Sequence, residues 1–247
     1  MNINKTLLLF CLSVTIPLFA TGCANISLGS TIEKNTVTEE ASGDIIRLKP
    51  GDDINQLIYD APNGSKIILS KGRYLISKPV EIANKSNITV SGEDEVWVES
   101  KKTDHQIFFI RNSANISIIG IKAQHIVDEA NKDNTPPLSD NRKGSVVDVE
   151  SCSKVVFEGC ELVGCGVYGI YASNTPEVHI SNSYLHHNSI SALGFQGNTC
   201  SMKVYISDSK ITNNKSLIET RGDVKIEYGE NNIIKDNDSN GYNTDLR

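Results

Sequence analysis

Short bursts in which apolar and polar residues alternate recur along the chain in one form. Lys154–Leu162 reads KVVFEGCEL, Glu177–Leu185 reads EVHISNSYL and Lys203–Ile211 reads KVYISDSKI. The shared template is apolar, any, apolar, four mostly polar or small residues, apolar. Asp223-Val-Lys-Ile-Glu-Tyr-Gly continues it, and Asn87-Ile-Thr-Val-Ser-Gly and Asn115-Ile-Ser-Ile-Ile-Gly precede it. Alternation with period two marks a strand with one buried face, and Asn, Gly and Ser between the bursts mark turns. No burst is long enough, or periodic enough, for a helix. Val155, Val178, Val204 and Val224 return at intervals of 23, 26 and 20 residues, the length of one winding of a solenoid. The prediction is therefore an all-β parallel β-helix with rungs about 4.8 Å apart. Its interior files are Val155/Val178/Val204/Val224, Phe157/Ile180/Ile206/Ile226 and Leu162/Leu185/Ile211.

That register orders the outward residues too. Lys154, Glu177, Lys203 and Asp223 precede the first file and alternate in sign, as attractive neighbours on adjacent strands should. Each exposed pair contributes only about 0–1 kcal/mol, so the alternation speaks for register more than for stability. At the N-terminal end, Asp53 followed by Ile54, Leu57, Ile58 and Ala61 on one helical face predicts a short capping helix that plugs the open core and shields the first edge. At the other end, Asn237–Arg247 is polar and supplies no apolar cap. It reads as a tail, and the last rung is then open to edge-to-edge contact with a protein partner. The period breaks once, over residues 127–144, a polar insertion too long for an ordinary turn and of the kind that carries function on rigid scaffolds. It separates Ile126 from the strand that holds Asp148 and Glu150.

Cys165, Asn188 and Asn214 align at one turn, where the segments Leu185-His-His-Asn and Ile211-Thr-Asn-Asn resemble the turns of the pectate lyase-like β-helix superfamily. The resemblance covers Asp44 to Asp236 and implies a right-handed parallel β-helix. Stacked Asn side chains serve such turns by bonding to backbone groups. The superfamily contains lyases, hydrolases, epimerases and proteins without known activity, so whether this chain is an enzyme stays open. The Gly-His-Gly and Arg-Ile-Lys motifs of its polygalacturonases are missing, which disfavours glycoside hydrolysis by two placed carboxylates.

Residues 1–22 read as a targeting segment. Lys5 precedes an apolar run, Thr6 to Ala20, too short to span a bilayer. Ala20-Thr21-Gly22-Cys23 resembles the lipobox of bacterial lipoproteins, which makes Cys23 the expected lipidation site; an ordinary secretory signal is the alternative. Either reading sends the protein out of the cytoplasm. With Ala24 rather than Asp after the cysteine, the anchor is expected in the outer membrane if the source has two. Residues 23–43 then form a flexible tether.

Composition bounds the rest. The 247 residues, 38% hydrophobic and 22% charged, suit one domain with a sizeable core. A net charge of −6 disfavours nucleic acid as a partner, since binding phosphates requires a basic field, and favours neutral or cation-bridged ligands. Cys152, Cys160, Cys165 and Cys200 show no zinc spacing. They read as structural thiols, or as one local Cys160–Cys165 bridge in an oxidising compartment.

The chemistry that fits is carbohydrate chemistry. The chain is expected to bind or process an envelope or extracellular polysaccharide, with a calcium-dependent polysaccharide lyase or epimerase, or a non-catalytic structural lipoprotein, as alternatives. A uronate lyase needs a cation to neutralise the carboxylate and a base to remove the adjacent proton. Within the resemblance, Asp148 and Glu150, two apart on one strand face, would hold Ca2+, and Arg142 and Lys143 would supply the base. His179 and Tyr205, in one outward file with Val156 and Lys225, are the candidate substrate-binding residues. His186 and His187 are expected to hydrogen-bond beside the Asn turn.

Overall fold

The structure is a computed structural model that describes residues 43–126, 144–164 and 167–237. Alternating strands wind into a parallel β-solenoid of about seven turns, with one short helix among the described residues. Among the described residues every strand pair is parallel, as expected when each winding adds one strand to each wall. The first wall runs Ile45–Leu48, Lys66–Leu69, Thr89–Gly92, Ile116–Ile119, Lys154–Glu158, Glu177–Ser181 and the C-terminal half of Ser191–Ser207. A seven-stranded second wall runs from Gly72–Ile76 to Ile233–Lys235. The third wall stacks Val80–Ala83, Phe108–Arg111, Val147–Glu150, Tyr168–Ser173, the N-terminal half of Ser191–Ser207 and the N-terminal part of Ile218–Tyr228, whose remainder forms the last rung of the first wall. Ser191–Ser207 passes without a break from the third wall into the first, so hydrogen bonding joins the two into one sheet.

The interior is built as the alternation requires. Val155, Val178 and Val204 lie in one file, Phe157, Ile180 and Ile206 in the next, and Leu162, Leu185 and Ile211 in a third. All nine are buried. Files of this kind bury apolar surface only by stacking, at roughly 25 cal/mol per Å² removed from water, so each rung depends on its neighbours.

The last rung departs from the expected register. Val204 pairs with Ile226, whereas Val224 sits opposite Met202. Residues 198–201 face a single residue, Asp223, on the next strand, and this irregularity moves the alignment by two. Val224, Ile226 and Tyr228 alternate with polar residues, and a period-two pattern cannot detect a slip of two because the same faces remain buried. Two outward assignments change with it. Lys203 neighbours Lys225 instead of Asp223, ending the sign alternation, and Tyr205 neighbours Glu227 instead of Lys225. The Lys225 ammonium bonds within its own strand, 2.7 Å from Glu227. Higher up the alternation holds, with the Lys154 ammonium 2.6 Å from Glu177.

The helix is Ile54–Asp60. The Asp53 carboxylate accepts from the backbone N–H groups of Asn55 and Gln56, both at 3.1 Å, and Ile54, Ile58 and Ala61 are buried against the first windings. At its C-terminal end, the Lys85 ammonium donates to the carbonyls of Tyr59 and Ala61 at 2.7 and 2.6 Å, satisfying groups that a helix end leaves open.

Buried polar ladders close the turns. The Asn188 side chain donates to Asn214 Oδ1 at 2.8 Å, and Asn214 donates to Asn237 Oδ1 at 2.8 Å. The ladder thus reaches Asn237, the first residue of the segment read from sequence as a tail. A second ladder passes from the Cys160 N–H to Ser183 Oγ, from the Ser183 N–H to Ser209 Oγ, and from the Ser209 N–H to Asn232 Oδ1, at 3.1, 3.2 and 3.0 Å. Cys160 is free and its thiol donates to the Ile118 carbonyl, so it forms no bridge; Cys165 lies outside the described residues. Burial pushes the Cys160 thiol up to about 11. Among the described residues, no helix is long and apolar enough to cross a membrane.

Candidate functional site

The outward side of the third wall gathers aromatic, acidic and amide groups. Alternation points two files to the surface. One is Glu81, Phe109, Asp148, Tyr171, Gly194 and Glu219; the other is Ala83, Arg111, Glu150, Ser173, Gln196 and Arg221. The intervening residues, among them Phe108, Val147, Ile170 and Leu193, are buried in the core behind the surface.

At one end of these files lies a cleft of about 290 Å³ lined by Tyr168, Tyr171, Gly194, Gln196, Glu219 and Arg221. The two tyrosine rings are 5.4 Å apart and tilted by 36°. Gly194 makes room for them, since a Cβ there would lie 2.9 Å from each ring. Both hydroxyls are held: Tyr168 donates to Glu219 Oε2 at 2.8 Å, and Tyr171 donates to Gln196 Oε1 at 2.5 Å. Burial raises the pKa of each phenol. The Glu219 carboxylate adds to the effect at Tyr168, and Asp148 and Glu150 add to it at Tyr171, where Arg221 opposes them. At the other end is a groove of about 460 Å³ between the helix and the wall, lined by Tyr59, Lys78, Glu81, Lys85, Phe109 and Arg111. Here the Arg111 guanidinium is 5.7 Å from the Phe109 ring centre and 2.6 Å from Glu81.

Asp148 and Glu150 lie between the two concavities. Asp148 follows Phe109 and precedes Tyr171 in its file. The Asp148 Oδ1 atom is buried with no hydrogen-bond partner. Burial, helped by the charge on Glu150 and opposed by a hydrogen bond from Ser145, pushes the Asp148 carboxyl up to about 6. Such a group changes protonation close to neutrality, which suits proton transfer or a cationic partner. Among the described residues no three His, Cys, Asp or Glu side chains come together to hold a metal ion, so a cation on Asp148 and Glu150 would need further oxygen donors.

The other sequence candidates lie elsewhere. His179 and Tyr205 adjoin on the first wall, their rings stacked 4.6 Å apart at 22°. The His179 Nε2 lies 2.5 Å from Glu177, whose carboxyl is held below its usual range by the Lys154 ammonium and then by His179. This pair and the Asp148–Glu150 pair are therefore on different walls. Arg142, Lys143 and Cys23 lie outside the described residues. The two adjacent histidines of the second wall bond as expected, with His186 Nε2 3.3 Å from Glu161 and the two Nδ1 atoms 2.6 Å apart. Burial lowers the pKa of both imidazoles. Tyr168, Tyr171, Gln196 and Glu219 escaped the sequence reading. Their shared wall follows the insertion and two differently spaced loops, so no repeated template marks it; the only local signal is the closely spaced tyrosine pair Tyr168 and Tyr171.

No protein-family model matches the sequence, and no curated protein matches it. Among solved structures, the chain is similar to a protein from Parabacteroides merdae ATCC 43184 that is provisionally described as a glycosyl hydrolase. The two are 18% identical, over 69% of this chain and 80% of that one, with a TM-score of 0.48. Likeness at this level carries no argument about activity. The observations define the class of the chain as an all-β parallel solenoid whose third wall displays an aromatic and acidic surface.

Proposed function

We propose that this chain is an exported protein, lipid-anchored to the cell envelope through Cys23, whose solenoid binds an envelope or extracellular polysaccharide across the outward face of its third wall. The observation that carries the reading is the Tyr168–Tyr171 cleft. Two adjoining aromatic rings, a side-chain amide, a carboxylate and a guanidinium line it, which is the mixture of flat apolar faces and directional polar groups that a sugar presents in complement. Binding of polysaccharides by the purified full chain tests it. Tyr171→Ala should weaken binding about tenfold, the loss expected for one aromatic contact. If binding survives loss of both tyrosines but disappears when His179 and Tyr205 are removed, the saccharide site belongs on the first wall instead.

Asp148 favours a second reading, a lyase-type enzyme, because its carboxyl titrates near 6. In that reading Asp148 and Glu150 hold Ca2+ while Arg142 and Lys143 provide the base. Ultraviolet absorbance from an unsaturated product, formed from uronate polymers with calcium and lost on chelation, is the expected signal; its absence removes the enzyme and leaves the binding protein. For the anchor, the full chain expressed in bacteria should incorporate labelled lipid, and Cys23→Ser should abolish it.

A further inference from the structure

We infer that the last rung is a surface for self-association: two copies of this chain join end to end, with Ile218–Tyr228 of each paired antiparallel about a two-fold axis at Gly222. This stands independently of the saccharide reading above.

The edge is open. Ile218–Tyr228 is a strand of 11 residues that pairs, among the described residues, on one side only, with Ser191–Ser207. Its other side presents a row of backbone donors and acceptors, which recruits a further strand unless charge or shape forbids it. Ile218, Val224 and Ile226 face the core but are only half-buried, and Tyr228 and Ile233 on the same rung are exposed. Their counterparts Leu193, Met202 and Val204, one rung back, are buried. A further strand would complete the burial.

Charge identifies that strand. Antiparallel pairing about a two-fold axis opposes residues equally spaced on either side of it, and an axis placed at a residue keeps inward faces against inward faces. The outward residues alternate in sign, as Glu219, Arg221, Asp223, Lys225 and Glu227. With the axis at Gly222, Glu219 meets Lys225 of the second copy and Arg221 meets its Asp223, each contact occurring twice. On the inward face Ile218 then meets Ile226 and Thr220 meets Val224. An axis at Asp223 opposes that residue to itself, Arg221 to Lys225 and Glu219 to Glu227; one at Arg221 opposes it to itself and Glu219 to Asp223. Like charges directly opposite are destabilising. An axis at Val224 also opposes unlike charges. However, the strand turns the corner from the third wall to the first at Gly222, where φ is 78°, and only an axis through that corner lets two bent strands run together.

The charges are available for the contact. Arg221 and Asp223 enter no ion pair among the described residues. Lys225 lies beside Lys203 on the adjacent strand, and Glu219 of the second copy supplies the anion that this like-charged pair lacks across the edge. Lys225 and Glu219 each hold one contact in their own chain, to Glu227 at 2.7 Å and to the Tyr168 hydroxyl at 2.8 Å. An ammonium with three donors and a carboxylate with two oxygens can keep these and add another.

The test is sedimentation of the purified full chain over a range of concentrations, which should show a reversible dimer. Arg221→Asp and Asp223→Arg should each weaken it about tenfold or more, because either change turns two attractive pairs into two repulsive ones. Mixing the two variants in equal amounts should restore the dimer, since one then brings two acids and the other two bases. Glu219→Lys and Lys225→Glu provide the same cycle on the outer pair should either of the first two fail to fold. Amide exchange in Val224–Tyr228 should slow as the copies associate and stay fast at dilutions where single copies prevail. A chain that remains a single copy up to about 100 µM would overturn the inference. Dimers indifferent to the reversals, or variants that fail to recombine on mixing, would place the contact elsewhere and overturn it equally.

Discussion

At the scale of single residues, Asp148 is the described carboxyl that the fold pushes furthest from its ordinary range. Its carboxyl titrates near 6 when folded, against about 3.9 in an unfolded chain. A folded-state pKa above the unfolded one means that the native protein holds the proton more tightly. The resulting stability is complete below the unfolded value and is lost as pH rises from about 4 to 6. Asp148→Asn, which keeps the shape and cannot ionise, should therefore stabilise the protein at pH 7 by about 1–2 kcal/mol, with the difference vanishing below pH 4. Chemical denaturation across that range is the measurement, and equal stabilities at pH 7 would contradict it. Gly194 makes a steric prediction. Gly194→Ala drives a methyl to 2.9 Å from both tyrosine rings, so saccharide binding should fall more than thermal stability, with a cost to folding of about 1 kcal/mol. Asp148 was readable in the sequence because it alternates with buried valines beside a break in the period. Its orphaned oxygen was not, because that depends on side chains brought beside it by neighbouring windings.

Among elements, the files and ladders hold the windings in register. Ile180→Ala removes apolar contact from the middle of a file flanked by Phe157 and Ile206 and should cost about 2–5 kcal/mol. Asn214→Ala should cost about 1–3 kcal/mol despite deleting only a polar side chain, because the Asn188 N–H and side-chain amide both donate to Asn214 Oδ1 and would be left without an acceptor. Urea unfolding of both variants checks these figures, and a near-neutral Asn214→Ala would show that water replaces the ladder. The interior files from Val155 to Val204 were legible because one face of each strand is buried and a slip of one would expose it. The last rung was misplaced by two because nothing in Val224-Lys-Ile-Glu-Tyr distinguishes registers that bury the same face. The helix was legible from its acidic cap and the spacing of its apolar residues, both local properties.

Over the whole described chain, the two ends differ. The first windings are closed by Ile54 and Ile58 of the helix and by Ala61 just after it, all buried. On the last rung Val224 and Ile226 are half-buried, and Ile233 and Tyr228 are 53% and 36% exposed. In a stack whose rungs are stabilised by neighbours, the rung with one neighbour opens first. Amide exchange should accordingly be fastest in Val224–Tyr228 and slowest near Phe157 and Ile180; uniform protection would count against opening from that end. Sequence showed the stack and its period, since these repeat. It missed the aromatic and acidic surface of the third wall, which arises where loops of unequal length bring unlike residues into the same file.

The thiols that take Ser-like places in the turns have a practical consequence. Cys152 and Cys160 are free, 2% exposed, and burial raises the pKa of each, so neither is a reactive thiolate while the windings are intact. An alkylating reagent can reach them only when a winding comes apart. Their rate of modification therefore acts as a built-in clock for opening at the middle of the stack, read without any engineered probe.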